Sequence, residues 1–312
     1  MKKTYLVTGG KGFIGKAVSL SLLEKNQNVI IFDNNFREKK FFLKHKNLKI
    51  IKGDIRKKND LNKIKTKIHT VIHLAAINGT KNFYDKPDLV LEVGVKGIIN
   101  VIDFCKDKNI KEIFLASSSE VYQTAPSFPT DENVRLIIPN PHNPRFSYSS
   151  TKIISEILLL NSDYFKKVVI FRPHNIYGAD MGKKHVIPEL IIKILKGKKS
   201  LTIQGNGKNS RSFCYIDDFV KALNLIIKKG KHKEIYNIGN EEEIKIIDLT
   251  KLLIKLLKKD LKIITSAKSF YNANRRLPDL TKLKKLGYKP KINLNLGLSN
   301  TIDWYKKNYK KQ

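Results

Sequence analysis

Lys3-Thr4-Tyr5-Leu6-Val7-Thr8 is a short apolar strand that runs into Gly9-Gly10-Lys11-Gly12-Phe13-Ile14-Gly15, and the reading of this stretch decides the fold. Ala17, Val18, Leu20, Leu22 and Leu23 then supply the apolar positions of a helix. Strand, glycine loop and helix follow in the order that a dinucleotide requires. Gly9 allows the tight turn, Gly12 lets backbone approach a pyrophosphate, and Gly15 lets the helix pack close to the strand. The helix start offers free N–H groups and a positive dipole end to phosphates. Val29-Ile30-Ile31-Phe32 is a second buried strand ending in Asp33. That carboxylate lies about 20 residues past the loop, where it can take ribose hydroxyls. It would repel a ribose phosphate, so the expected cofactor is NAD rather than NADP.

Composition narrows the class. The chain has 312 residues and 41% hydrophobic content, enough to bury a large core in one domain or two. No apolar run approaches the ~18 residues of a membrane span. The N-terminus goes straight into a strand, which predicts no signal peptide. Cys105 and Cys214 fall inside apolar patterns and read as buried thiols, in keeping with a reducing cytoplasm. The chain carries 61 Lys+Arg against 28 Asp+Glu, net +33. The lysines are spread along the whole chain and arginines are few. No aromatic-interleaved basic stripe marks a nucleic-acid surface, so no nucleic-acid or membrane partner is expected. The excess charge would steer anionic substrates toward the protein.

Further along, Leu48 to Ile55 reads as a third strand ending in Gly53-Asp54. Asp54 can reach an adenine amino group with Ile55 against the ring, or it can cap the helix before Leu61. Val71-Ile72-His73-Leu74-Ala75-Ala76 is a fourth strand whose small residues let a cofactor pass close by. His73 reads as structural. Pro87 to Asp107 reads as one long helix containing Gly94 and Gly97, which close packing against the sheet or a cofactor would explain. Glu112 to Ala116 is a fifth strand, opening into Ser117-Ser118-Ser119-Glu120-Val121-Tyr122 and a long proline-rich loop. Val168 to Phe171 is a sixth. Such alternation implies a doubly wound parallel sheet with its ligand crevice at the carboxyl ends of the strands. The pattern changes after Gly178. The expected domains are 1–175 with part of 212–238, and a smaller lobe of 176–211 and 239–312.

Tyr148 and Lys152 are four apart and share one face of the helix that begins near Phe146. A phenol with a pKa of ~10 must drop by about 3 units to act as a base near neutrality. The lysine ammonium supplies part of that, and a positive nicotinamide ring supplies more. Ser118 would hydrogen-bond the same substrate oxygen.

With these motifs in their order, the chain resembles the extended short-chain dehydrogenase/reductase family, in its nucleotide-sugar epimerase/dehydratase branch. The matching pieces are Thr8 to Gly15, Asp33-Asn34, Gly53-Asp54-Ile55, His73 to Ala76, Ser117 to Tyr122, Tyr148-x-x-x-Lys152, Arg172 to Gly178, Arg211-Ser212-Phe213 and Arg276-x-Pro278-Asp279. The resemblance implies a Rossmann-like doubly wound α/β sheet with a smaller C-terminal α/β substrate lobe. It implies a cytoplasmic homodimer acting on a nucleotide-diphosphate sugar. Gly9, Gly12, Phe13, Ile14, Gly15, Asp33, Asn34, Asp54, Ile55, Ala75 and Ala76 would hold NAD, and Lys152 and Tyr148 would touch it. Tyr148 would take the proton from a sugar hydroxyl, most often at C4, assisted by Ser118 and Lys152. Asn175, Arg211 and Arg276 match positions that hold the diphosphate. No metal is implied.

The resemblance leaves several reactions in competition. A 4-epimerase leads. A 4,6-dehydratase uses an Asp-Glu pair where this chain has Ser119-Glu120. A uronic-acid decarboxylase uses a glutamate like Glu120 and an arginine like Arg276, and both are present. A non-catalytic NAD-binding protein would not need Ser118, Tyr148 and Lys152 together. Two departures from relatives stand out: Gly94, where many have asparagine, and Gln123, where glycine often follows Val-Tyr.

Overall fold

The computed structural model describes residues 2–37, 43–183, 185–197, 199–266 and 274–308. The chain divides into two compact units. The first is 1–121, 136–172 and 223–236, and the second is 122–135, 173–222 and 237–312. These bounds differ from those read off the sequence chiefly in the loop 122–135, which belongs to the second unit.

Strands β1 (Thr4–Thr8), β2 (Asn28–Asp33), β3 (Leu48–Lys52), β4 (Thr70–His73), β5 (Glu112–Ala116) and β6 (Lys167–Pro173) build the first unit's sheet. A later strand at Glu234–Ile238 completes the order Glu234–Ile238, β6, β5, β4, β1, β2, β3. Pairings from β3 through β6 are all parallel. Central strands of such a sheet are covered on both faces and therefore read as apolar runs. All five residues of β1 are buried, as are Val29 to Phe32 of β2. Register sets Thr8 opposite Phe32 on one side and His73 on the other. The strand order reverses between β1 and β4, which opens a crevice at their carboxyl ends.

Helix α1 (Phe13–Glu24) follows the glycine loop, and short helices α2 (Lys58–Leu61) and α3 (Thr80–Asp85) lie farther along. The stretch expected to be one regular helix is α4 (Pro87–Leu91), a π-helical turn Glu92–Lys96, and α5 (Gly97–Asp107). Its glycines answer to packing. A Cβ on Gly94 would lie 2.4 Å from the Thr151 Cβ, and one on Gly97 would lie 2.4 Å from the Ile55 Cδ1. Helix α6 (Ser147–Leu160) carries Thr151, Tyr148 and Lys152. The third and fourth strands end at Lys52 and His73, earlier than their apolar sequences suggest.

The second unit contains β7 (Ile176–Tyr177), α7 (Val186–Lys196), β8 (Ser200–Ile203), β9 (Ser210–Ser212) and β10 (Cys214–Tyr215). Helix α8 (Ile216–Lys229) runs across the division between the units, and Glu234–Ile238 becomes β11. Then come β12 (Glu243–Lys245), α9 (Ile246–Leu256), β13 (Lys262–Thr265), β14 (Arg275–Arg276), α10 (Thr281–Lys285) and α11 (Leu294–Asn308). Strand β8 pairs in parallel with β13, and β9 lies between β12 and β14. Asn237 ties the loop 122–135 into this unit. Its side chain accepts from Tyr122 and donates to the carbonyls of Thr130 and Asp279, while its N–H donates to Glu132.

Candidate active site

The glycine loop forms a cradle that side chains would fill. Gly9 has φ +68°, and a Cβ there would lie 2.8 Å from the Ala75 Cα. A Cβ on Gly15 would lie 2.2 Å from the Gly9 carbonyl oxygen. Helix α1 begins at Gly12 with no side-chain cap and no acid in its first turn. The first N–H groups of a helix have no intrahelical partner, and an uncapped start presents them to an anion. Phe13 and Ile14 lie in that first turn. This geometry fits a dinucleotide phosphate bridge.

Asp33 ends β2 and sits beside this loop. One carboxylate oxygen accepts from the Lys11 N–H at 3.0 Å and the other from the Asn35 N–H at 2.8 Å. Those contacts fix the carboxylate and leave lone pairs for ribose hydroxyls. Asp54 is bound by the Arg56 guanidinium, with the closest contact at 2.7 Å, and by Asn34 at 3.4 Å. It is not a helix cap: α2 has Lys57 at that position. Ile55 is buried against Gly97. Ala75 and Ala76 are half-buried just beyond β4. The Thr8 hydroxyl accepts from the N–H groups of Leu74 and Ala75 and pairs with His73 Nδ1 at 2.8 Å. His73 is thus held by Thr8, and burial, then the nearby Lys152 charge, pushes its imidazole down to about 3.

Ser118, Tyr148 and Lys152 come together in the first unit. Ser118 follows β5 and acts on the Tyr148 phenol, favouring its charged form. The Lys152 ammonium lies 5.6 Å from the Tyr148 ring centre and donates to the Ala116 carbonyl at 2.7 Å. That anchor fixes one of its three donors on the end of β5. Burial lowers the ammonium to about 8, opposed by Glu156. For Tyr148 the expected drop is not produced by protein groups. Burial dominates and raises the phenol, Ser118 opposes it, and Glu120 adds to the rise.

Several contacts around this trio carried no sequence signal, among them those of Glu120, which the resemblance marks as a possible catalytic group. Glu120 accepts from Arg145 at 2.6 Å. Phe83 stacks on Tyr148 with centroids 5.0 Å apart and planes 12° from parallel. Glu156, one turn beyond Lys152, is paired with the buried Arg172 at 2.7 Å and accepts from Ser117. A sequence pattern offers no partner for a glutamate facing into a helix core; only the folded register does.

The second unit holds the remaining expected positions. Asn175 has φ +43° and donates to the Ser212 carbonyl at 2.9 Å. Arg211 on β9 and Arg276 on β14 are register partners on adjacent strands. Arg276 is buried, and Arg211 donates to the Ser210 carbonyl at 2.7 Å. Among the described residues no group of His, Cys, Asp or Glu side chains is arranged to hold a metal. Both cysteines are buried free thiols. No helix among the described residues is long and apolar enough to cross a membrane.

This cradle and trio define a class, and comparison with known proteins agrees. A sequence model of the NAD dependent epimerase/dehydratase family matches residues 5–239, and the chain belongs to that family. Its cofactor is NAD. Relatives span several reactions. The chain is 32% identical over 320 residues to a UDP-N-acetyl-alpha-D-glucosaminuronate decarboxylase of Bacillus cytotoxicus, covering 98% of both chains. It is similar in structure to a UDP-N-acetylglucosamine 4-epimerase of Methanobrevibacter ruminantium, with TM-score 0.88, 28% identity, and coverage of 98% of this chain and 99% of that one. A dTDP-glucose 4,6-dehydratase of Streptomyces venezuelae with NAD bound gives TM-score 0.87 and 26% identity, with 98% of each chain covered.

Proposed function

We propose that this chain is a nucleotide-sugar 4-epimerase working through a transient 4-keto sugar. The observation that carries this reading is the Ser118–Tyr148–Lys152 trio beside a glutamate already committed to Arg145. Tyr148 removes the C4 hydroxyl proton as the C4 hydrogen leaves with its electron pair, giving the ketone. When bound, NAD supplies the hydride acceptor and the positive ring that offsets burial of the phenol. Lys152, held by the Ala116 carbonyl, keeps a positive charge close to Tyr148. Ser118 donates to the substrate oxygen. Return of the hydride to the other face of C4, and of the proton from Tyr148, inverts the centre. No second acid–base pair is needed, which suits a site with Ser119 where dehydratases carry an acid. Asn175, Arg211 and Arg276 hold the diphosphate, for which guanidinium groups are well shaped.

Loss of carbon dioxide from a 4-keto uronic acid is the second reading. Glu120 and Arg276 favour it, as does the decarboxylase relative. We also infer a cytoplasmic homodimer. Leu91 and Ile99 on the α4–α5 run, and Ile154 and Ile157 on α6, are exposed apolar residues on two helices. A monomeric mass by light scattering at micromolar concentration would refute the dimer. Incubation with UDP- and dTDP-sugars, including uronic acids, followed by NMR tests the reaction. A C4 epimer is expected. A 4-keto-6-deoxy sugar or a decarboxylated pentose as the product would replace this reading.

A further inference from the structure

Arg145 stands immediately before α6, in the turn Pro144–Phe146 that launches the helix carrying Tyr148 and Lys152. Its side chain is 3% exposed. One nitrogen, Nη2, donates to Glu120 at 2.6 Å. The Nε and Nη1 atoms are buried and have no hydrogen-bond partner. The guanidinium carbon lies 5.2 Å from the centre of the Phe83 ring, and Phe83 stacks on Tyr148. A buried cation with unmatched donors costs stability, and a buried ion pair is often replaceable by apolar side chains at no loss. Stability alone does not account for an arginine here. Its contacts do connect the two segments that carry the reactive groups: the turn after β5, with Ser118 and Glu120, and the start of α6, with Tyr148.

We propose that Arg145 is a positioning residue for Tyr148, holding the Glu120 carboxylate by an ion pair and the Tyr148 ring through Phe83. This inference rests on the reading of Tyr148 as the base. Among the described residues, the groups seen to act on the phenol or its ring come from three elements. From its own helix comes Lys152, from the turn after β5 come Ser118 and Glu120, and from α3 comes only the apolar face of Phe83. Glu156 acts on Lys152 rather than on the phenol and is itself paired with Arg172. Within this set Glu120 is the one negative charge that opposes ionisation of the phenol, and Arg145 is the cation that neutralises it. Removing Arg145 frees both the carboxylate and the ring. Removing Glu120 as well takes the opposing charge away and leaves only the lost ring contact.

The test is a titration of Tyr148 in the NAD-loaded full-length protein, followed by the ultraviolet phenolate band. The spectrum of Tyr148→Phe is subtracted so that the other tyrosines cancel. Arg145→Met is expected to move the Tyr148 titration up by about one pH unit, the shift an unneutralised neighbouring charge produces. Glu120→Gln should move it down, and Glu120→Gln with Arg145→Met should bring it back toward the native value. Arg145→Lys, which keeps the charge, should stay close to native. An Arg145→Met protein that folds, binds NAD and titrates like the native one overturns the proposal. If Arg145→Met does not fold, Glu120→Gln decides, and an unmoved titration in that variant overturns it equally. A purely structural role for Arg145 would leave the titration of a folded Arg145→Met protein in place. Turnover by Tyr148→Phe would refute the proposed reaction and not this electrostatic coupling; an unmoved titration with an inactive Tyr148→Phe protein would refute the coupling alone.

Discussion

Replacing Gly94 by alanine tests how tightly the π-helical turn is set against the helix of the reactive tyrosine. The added Cβ would lie 2.4 Å from the Thr151 Cβ and 2.6 Å from its Cγ2 and Oγ1. Carbon atoms rest at about 3.5–4.0 Å, so the two helices must separate by about 1 Å. Thr151 has no room to swing aside. It is 1% exposed, and its hydroxyl donates to the Tyr148 carbonyl at 2.8 Å. Overpacking of this kind costs up to about 3 kcal/mol. The better helix propensity of alanine returns about 1 kcal/mol. A net loss of about 2 kcal/mol lowers Tm by on the order of 4 °C in a chain of this size. The displaced helix also carries Tyr148 and Lys152 away from Ser118, and a 1 Å misplacement can cost on the order of 10²-fold in rate. Calorimetry in saturating NAD, together with turnover on the identified sugar nucleotide, measures both effects. Thr151→Gly should be harmful alone, yet the double variant should lose less than the sum of the two, since they share one contact. A Gly94→Ala protein that melts at or above the native temperature with full activity would refute the packing argument.

The other predictions are simpler. Tyr148→Phe should abolish turnover while NAD and sugar nucleotide still bind, a loss of at least the 10²- to 10⁴-fold that general-base assistance typically supplies. Lys152→Met should shift the ascending limb of the pH–rate profile to higher pH and weaken NAD. Ser118→Ala should be the mildest, and near-native activity in Tyr148→Phe would show the assigned chemistry to be wrong. Asp33→Ser should narrow the preference for NAD over NADP in parallel titrations of the two; an unchanged ratio would remove Asp33 from the cofactor site. His73 gives a pH prediction. Its folded-state pKa, about 3, lies below the usual 6.5, so its contribution to stability is full above 6.5 and is lost as the pH falls toward 3. Denaturant midpoints between pH 7 and 4 should fall more steeply for the native protein than for His73→Asn, and parallel slopes would contradict this.

Much of the first unit was legible in the sequence because its signals are local. The apolar runs of β1 and β2, the glycine loop and the terminal Asp33 each declare themselves within a few residues. Tyr148 and Lys152 share a face by helix periodicity alone. What escaped depends on contacts between distant positions. The glycine at 94 is required by Thr151 on another helix, whereas the sequence pointed to the sheet or a cofactor as its close neighbour. Glu120 and Arg145 are 25 residues apart, with a proline-rich loop between them, and no spacing rule pairs them. The upward push on the phenol comes from burial, which a helical wheel does not show. The loop 122–135 looked like a continuation of the first unit, yet the hydrogen bonds of Asn237 anchor it in the second.

That arrangement of the chain has a consequence for how the protein is made. The polypeptide passes between the two units five times, at 121/122, 135/136, 172/173, 222/223 and 236/237. Domains that are contiguous fold one after another as they leave the ribosome. Here the sheet acquires its last strand, Glu234–Ile238, only after the stretch 173–222 of the other unit has been synthesised. Until then β6 presents an open edge, and an open strand edge is a template for pairing with the wrong chain. The nascent protein is therefore most exposed to misassembly late in synthesis, with its nucleotide loop already translated and its sheet still one strand short.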